Sequence, residues 1–163
     1  MRARCSARSP PRPTHPAERR LPVIAHWGIT GGDFSAAAGA ALDLVDLSVV
    51  QTFTFQNATS RRARSVANSY EQMFGENIAG MHAAVGFAHA YDLTHLLAMA
   101  IRKAGTTDRK AVRSALENLG AYSGLVRDYP RPFSPTQHEA LDQRQVFMAR
   151  FAKDGTLFKV RSQ

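Results

Sequence analysis

The spacing of apolar residues changes several times along this chain, and each change marks an element. Leu21 to His26, "LPVIAH", is an almost unbroken apolar run and predicts a short buried strand, apolar on both faces. Gly28, Gly31 and Gly32 then loosen the backbone, and Asp33 stands where it would cap a short helix through "FSAAAG". Val45–Phe55, "VDLSVVQTFTF", is rich in β-branched and aromatic residues and predicts a second strand. From Arg61 to Phe74 the apolar positions Ala63, Val66, Ala67, Tyr70, Met73 and Phe74 recur at helical spacing, and Gly75 ends the run. "NIAGMHAAVG" follows as a loop.

The longest helix is predicted from about Ala84 to Ala104, stopped by Gly105. Arg102 and Lys103 sit in its last turn, where the helix dipole favours cations. Tyr91, Leu93, Leu96, Leu97, Met99 and Ile101 go nearly all the way round it, so other structure is expected to cover it. Asp108 caps a third helix, "RKAVRSALENLG", and Gly120 lies past its end. Residues 121–141 carry turn signals at Gly124, Pro130, Pro132 and Pro135 and read as irregular. The last element is a β-hairpin, Val146–Ala152 and Thr156–Val160, turning at Lys153-Asp154-Gly155. Early alternation of strand and helix predicts an α/β fold: a mostly parallel sheet flanked by helices, closed by a C-terminal hairpin.

Composition narrows this picture. A chain of 163 residues is enough for one ordinary domain, and 44% hydrophobic content fits a globular one. Cys5 is the single cysteine, so an internal disulfide is excluded. The net charge of +8 suggests a nucleic-acid partner, but six of the 21 basic residues fall in residues 1–20, against Glu18 alone. That opening stretch, rich in Arg, Pro and Ser, predicts a disordered tail, and the body after it is only mildly basic. A basic nucleic-acid-binding arm is the weakest of the readings, and no nucleic-acid partner is expected. The sequence contains neither the apolar core of a secretory signal nor a run long enough to span a membrane.

The candidate chemistry begins at "HWGITGGDF". In open α/β sheets, ligands bind beyond the carboxyl ends of strands, where glycines let the backbone approach closely. Trp27 would supply a flat wall there and Thr30 a hydroxyl. The same residues also fit a plain turn with Trp27 in the core. The stretch has neither a P-loop nor a Gly-x-Gly-x-x-Gly pattern. His89, Asp92 and His95 sit at i, i+3 and i+6, where the outer pair diverges by roughly 120° on a helix, a poor metal site. No Gly-x-Ser-x-Gly elbow is present. Asp43 and Asp46 read as solvated. A non-catalytic protein without metal or other cofactor is expected.

"PVIAHWGITGGDF", "LDLVDLSVVQTFTF", "VGFAHAYDLTHLLAMAIRKAG" and "FMARFAKDGTLFKV", in that order and at matching separations, resemble the C-terminal part of type I periplasmic substrate-binding proteins of ABC transporters. The leucine/isoleucine/valine-binding group is the most similar. The resemblance runs from about Leu21 to Val160. It implies that residues 21–163 form a single lobe of a two-lobed protein whose lobes, joined by three crossovers, close on an amino acid or similar solute. It implies further a membrane permease as partner and a periplasmic location. It places Trp27 to Thr30, together with Phe87, His89 and Tyr91, at the cleft, each residue fitting ordinary packing as readily as ligand contact. Asp92 fits either the cleft or a structural role near the crossover. The alternative within the same fold is a sensor lobe for amides or urea. The absent first lobe and export signal imply a truncated or misassigned start, with an open sheet edge and exposed apolar surface.

Overall fold

The computed structural model describes residues 20–56 and 58–160. The predicted tail, apart from Arg20, lies outside the described residues. The strands are β1 (Pro22–Ala25), β2 (Asp46–Gln51), β3 (Tyr122–Ser123), β4 (Asp128–Tyr129), β5 (Phe147–Phe151) and β6 (Leu157–Lys159). The α-helices are α1 (Phe34–Ala38), α2 (Arg61–Phe74), α3 (Ala84–Ala104) and α4 (Arg109–Glu117). Short 3₁₀ turns occupy Trp27–Thr30, Gly39–Leu44, Ile78–Gly80 and Gln143–Gln145.

The fold is α/β, with a four-stranded sheet in the order β1-β2-β5-β6. Only β1 and β2 run parallel, and both β2–β5 and β5–β6 are antiparallel. The sheet is therefore mixed rather than mostly parallel. The C-terminal hairpin does not stand apart but adds its first strand directly to β2, which makes β2 and β5 the two inner strands. Val49 on β2 is fully buried and pairs with Ala149, 1% exposed.

β1 is not the buried strand that its composition predicts. It lies at the sheet edge with β2 as its partner, and Leu21, Val23 and Ile24 are exposed. An unbroken apolar run has no period from which to tell a central strand from an uncovered edge. Phe158 at the opposite side is also exposed. The expected open edge and apolar surface are thus present among the described residues.

The elements gather into two groups. The sheet, α1 and the turns around α1 form one. Helices α2, α3 and α4 with the small β3–β4 ladder form the other, and both hydrophobic clusters lie mainly there. Phe53, Phe55, Ala63, Val66, Ile78, Ala88 and Leu125 make the first cluster. Leu96, Ala100, Ala115, Leu119, Tyr122 and Tyr129 make the second, where α3 packs on α4. Residues 52–60 and 142–146 carry the chain from one group to the other and back. α3 is covered on its Val85, Ala88, Leu96 and Ala100 side, whereas Leu93 and Leu97 are exposed, so it is not enclosed all round.

Helix ends follow their local chemistry. Asp33, Ser60 and Asp108 each accept a backbone N–H through the side chain. Gly75 and Gly105 adopt the left-handed conformation at the ends of α2 and α3.

Candidate ligand-binding surface

Because β1 and β2 are parallel and adjacent, their carboxyl ends lie side by side. After β1 the chain turns sharply. The His26 side chain caps that turn, its Nδ1 accepting from Gly28 N–H at 3.1 Å. Thr30 is buried, and its hydroxyl donates to the Trp27 carbonyl at 2.7 Å. The Thr30 carbonyl in turn accepts from Ala83 N–H at 3.0 Å, which fixes the start of α3 against this turn.

His89, in the second turn of α3, then reaches the end of β2, with Nε2 2.9 Å from Thr52 Oγ1. The Trp27 ring meets His89 edge-on at 5.9 Å between centroids, and the His26 ring centroid lies 3.7 Å from that of Trp27. Trp27 belongs to the sheet group and His89 to the helical group, so this aromatic contact spans the two. Burial pushes the His89 pKa below its ordinary value, against the pull of the Asp92 charge. The ring is therefore neutral at pH 7, with one nitrogen donating and one accepting.

Phe87 and Tyr91 occupy the opposite flank of α3. Positions two apart on a helix diverge by about 200°, so His89 and Tyr91 point to different sides. Phe87 lies 5.9 Å from Phe55 and 6.5 Å from Tyr91. The Tyr91 hydroxyl accepts from Arg62 Nη1 at 3.4 Å. Trp27 and His89 thus come together with His26 and Thr52, Phe87 and Tyr91 come together against α2, and Thr30 anchors the turn. The sequence reading did not include His26 or Thr52. His26 immediately precedes the glycine turn and was within reach of a capping argument, but Thr52 reaches His89 only through tertiary structure.

Asp92 is 2% exposed and takes the structural role. Its Oδ1 accepts from Leu125 N–H at 2.6 Å and Tyr122 O–H at 3.4 Å, and its Oδ2 from Val126 N–H at 2.9 Å and Tyr129 O–H at 2.9 Å. Burial and the Asp92 charge push the Tyr122 pKa up to about 12, and that of Tyr129 also upward. A Cβ on Gly124 would stand 2.6 Å from both Asp92 Oδ2 and Tyr129 Cε2, so only glycine fits there. His95 Nδ1 pairs with the Tyr91 carbonyl at 2.8 Å. His89, Asp92 and His95 therefore have separate partners. Among the described residues no group of three His, Cys, Asp or Glu is placed to hold a metal ion, and no helix is long and apolar enough to cross a membrane.

A family model described as periplasmic binding protein matches residues 20–156. No curated protein sequence matches the chain. Among solved structures, a periplasmic binding protein type 1 from Bordetella pertussis Tohama I superposes with a TM-score of 0.68 at 23% identity, covering 86% of this chain and 39% of that one. The leucine-binding protein LivK from Thermotoga maritima MSB8 superposes at 0.60 and 17% identity, covering 85% and 36%. The substrate-binding protein LivJ of a branched-chain amino acid transporter from Streptococcus pneumoniae, solved with isoleucine, gives 0.60 and 17%, covering 85% and 37%. The chain spans about two-fifths of the length of these proteins.

Proposed function

The chain belongs to the periplasmic binding protein family, and we propose that it serves as the solute-binding component of an ABC importer for a branched-chain amino acid or similar small solute. The observation that supports this reading is the contact of Trp27 with His89 between the two groups of elements. A solute held there touches both groups at once. This chain supplies one of the two lobes that the resemblance implies, and a solute touching this surface and the second lobe favours the closed arrangement over the open one. The surface is aromatic. It offers the face of Trp27 to an apolar side chain, and imidazole nitrogens of His26 and His89 to polar groups. Thr30 holds the turn that presents Trp27. Phe87 and Tyr91 set the position of α3 from its far side. Binding is without chemical conversion, the closed form is read by a membrane permease, and the location is periplasmic.

Trp27 is the single tryptophan in the sequence, so its fluorescence reports the site directly. Titration of the full chain with leucine, isoleucine and valine is expected to give a saturable change with at least one of them. That change is expected to be lost in His89→Ala and not reproduced by glutamate. A flat response to all three amino acids refutes the reading.

A further inference from the structure

A second feature adjoins the Trp27 turn and shares Thr30 with it. A recess of about 70 Å³ lies over the sheet, walled by Phe34, Phe53, Phe147 and Phe151 and by the 79–84 segment. Neither Trp27 nor His89 lines it. Gln51 does. Its side chain is 3% exposed, and its Nε2 has no hydrogen-bond partner among the described residues. Unpaired N–H groups are the rarer kind of buried orphan, and they carry a cost comparable to a lost hydrogen bond. Packing alone would be better served at this position by Leu or Met.

The remaining polar groups also point to an acceptor as the missing partner. Thr54 Oγ1 accepts from Gln56 N–H at 3.1 Å, and its own O–H donates to none of the described residues. The Thr30 hydroxyl, also at the recess, is committed to the Trp27 carbonyl. No Asp, Glu, Lys or Arg lines the space, and its one titratable lining residue, His82, is exposed. Away from His82, a charged ligand would lose its hydration without compensation, whereas an uncharged one would not. We infer that this recess is a binding site for a small uncharged molecule, held by its carbonyl oxygen on the Gln51 amide and by its apolar body against the phenylalanines. The O and N ends of an amide exchange by a half-turn, and the inference requires the donor end to face the occupant.

The test uses the ¹⁵N-labelled full chain with acetamide and acetate, which share a shape and differ in charge. Acetamide is expected to shift the Gln51 side-chain NH₂ signals saturably, and acetate to bind at least tenfold more weakly. The accompanying shifts at the Thr54 and Ala149 backbone amides are expected to vanish in Gln51→Leu and to persist in Trp27→Ala. Should Gln51→Leu fail to fold, Gln51→Glu replaces the donor by an acceptor and is expected to lose the response as well. The inference is overturned by no saturable shift with either probe, which would leave water as the only occupant. It is equally overturned by equal affinity for acetate, or by an undiminished response in whichever Gln51 variant folds.

Discussion

Replacing Asp92 removes the one acceptor shared by four donors. Leu125 N–H, Val126 N–H, Tyr129 O–H and Tyr122 O–H all converge on its carboxylate inside the protein. Hydrogen bonds to a charged group are each worth roughly 1.5–3 kcal/mol, and losses within one network do not add in full. Asp92→Asn keeps one oxygen but turns an NH₂ towards groups that are themselves donors, so a loss of about 2–4 kcal/mol is expected. Asp92→Ala leaves every donor unpaired and a small void, and is expected to cost about 4 kcal/mol or more. Urea unfolding followed by far-ultraviolet circular dichroism measures the loss. Hydrogen exchange localises it, because the Leu125 and Val126 amides are expected to be protected in the parent and to exchange freely in Asp92→Asn. If Asp92→Asn stays within about 0.5 kcal/mol of the parent and both amides keep their protection, the carboxylate is not what holds residues 122–129 to α3.

Gly124→Ala forces a methyl group onto Asp92 Oδ2, Tyr129 and the Arg127 carbonyl, and is expected to lower stability by roughly 2–4 kcal/mol, measured by the same urea midpoint. Tyr122 and Tyr129 hold their protons more tightly when folded than when unfolded. Stability is therefore intact below pH 10 and falls as the pH rises from 10 through about 12, and tyrosinate absorbance is expected to show Tyr122 and Tyr129 ionising late. His89 is shifted the other way. The unfolded chain takes up its proton first, so stability present above pH 6.5 is lost as the pH falls below that value, and Thr52→Val is expected to leave the direction of this dependence unchanged. Trp27 fluorescence is expected to change over the same acid range in the parent and to change less in His89→Phe, where only the His26 imidazole remains beside the ring.

Helices were legible in the sequence because their signals are local. The bounds of α2 and α3 follow from apolar spacing and from Gly75 and Gly105, and the start of α4 follows from Asp108. α4 ends at Glu117, before Gly120, because Asn118 closes it by donating to the Ala115 and Leu116 carbonyls. The sheet was less legible. Which strand lies beside β2 is decided by β5, far away in sequence, and nothing within Pro22–Ala25 says that β1 lies at an edge. Phe53 and Phe55 extend the β-rich pattern beyond Gln51, yet they leave the sheet to pack on the helices. The β3–β4 ladder hides in a stretch dense with turn residues, since its anchor is Asp92 on another element. At the candidate surface, the glycine turn pointed to Trp27, and helical phase already separates His89 from Tyr91. The pairing of Thr52 with His89 spans 37 positions and carries no local signal.

The route of the backbone has a bearing on how the molecule assembles. β2 and β5 are neighbours in space, yet the whole run of α2, α3, α4 and β3–β4 intervenes between them. Within that run the sequence neighbours α3 and α4 pack on each other, a contact of the kind that forms quickly, whereas joining β2 to β5 means closing a very large loop. The run is thus poised to condense first and draw its two ends together, with the central strand pair zipping up only afterwards.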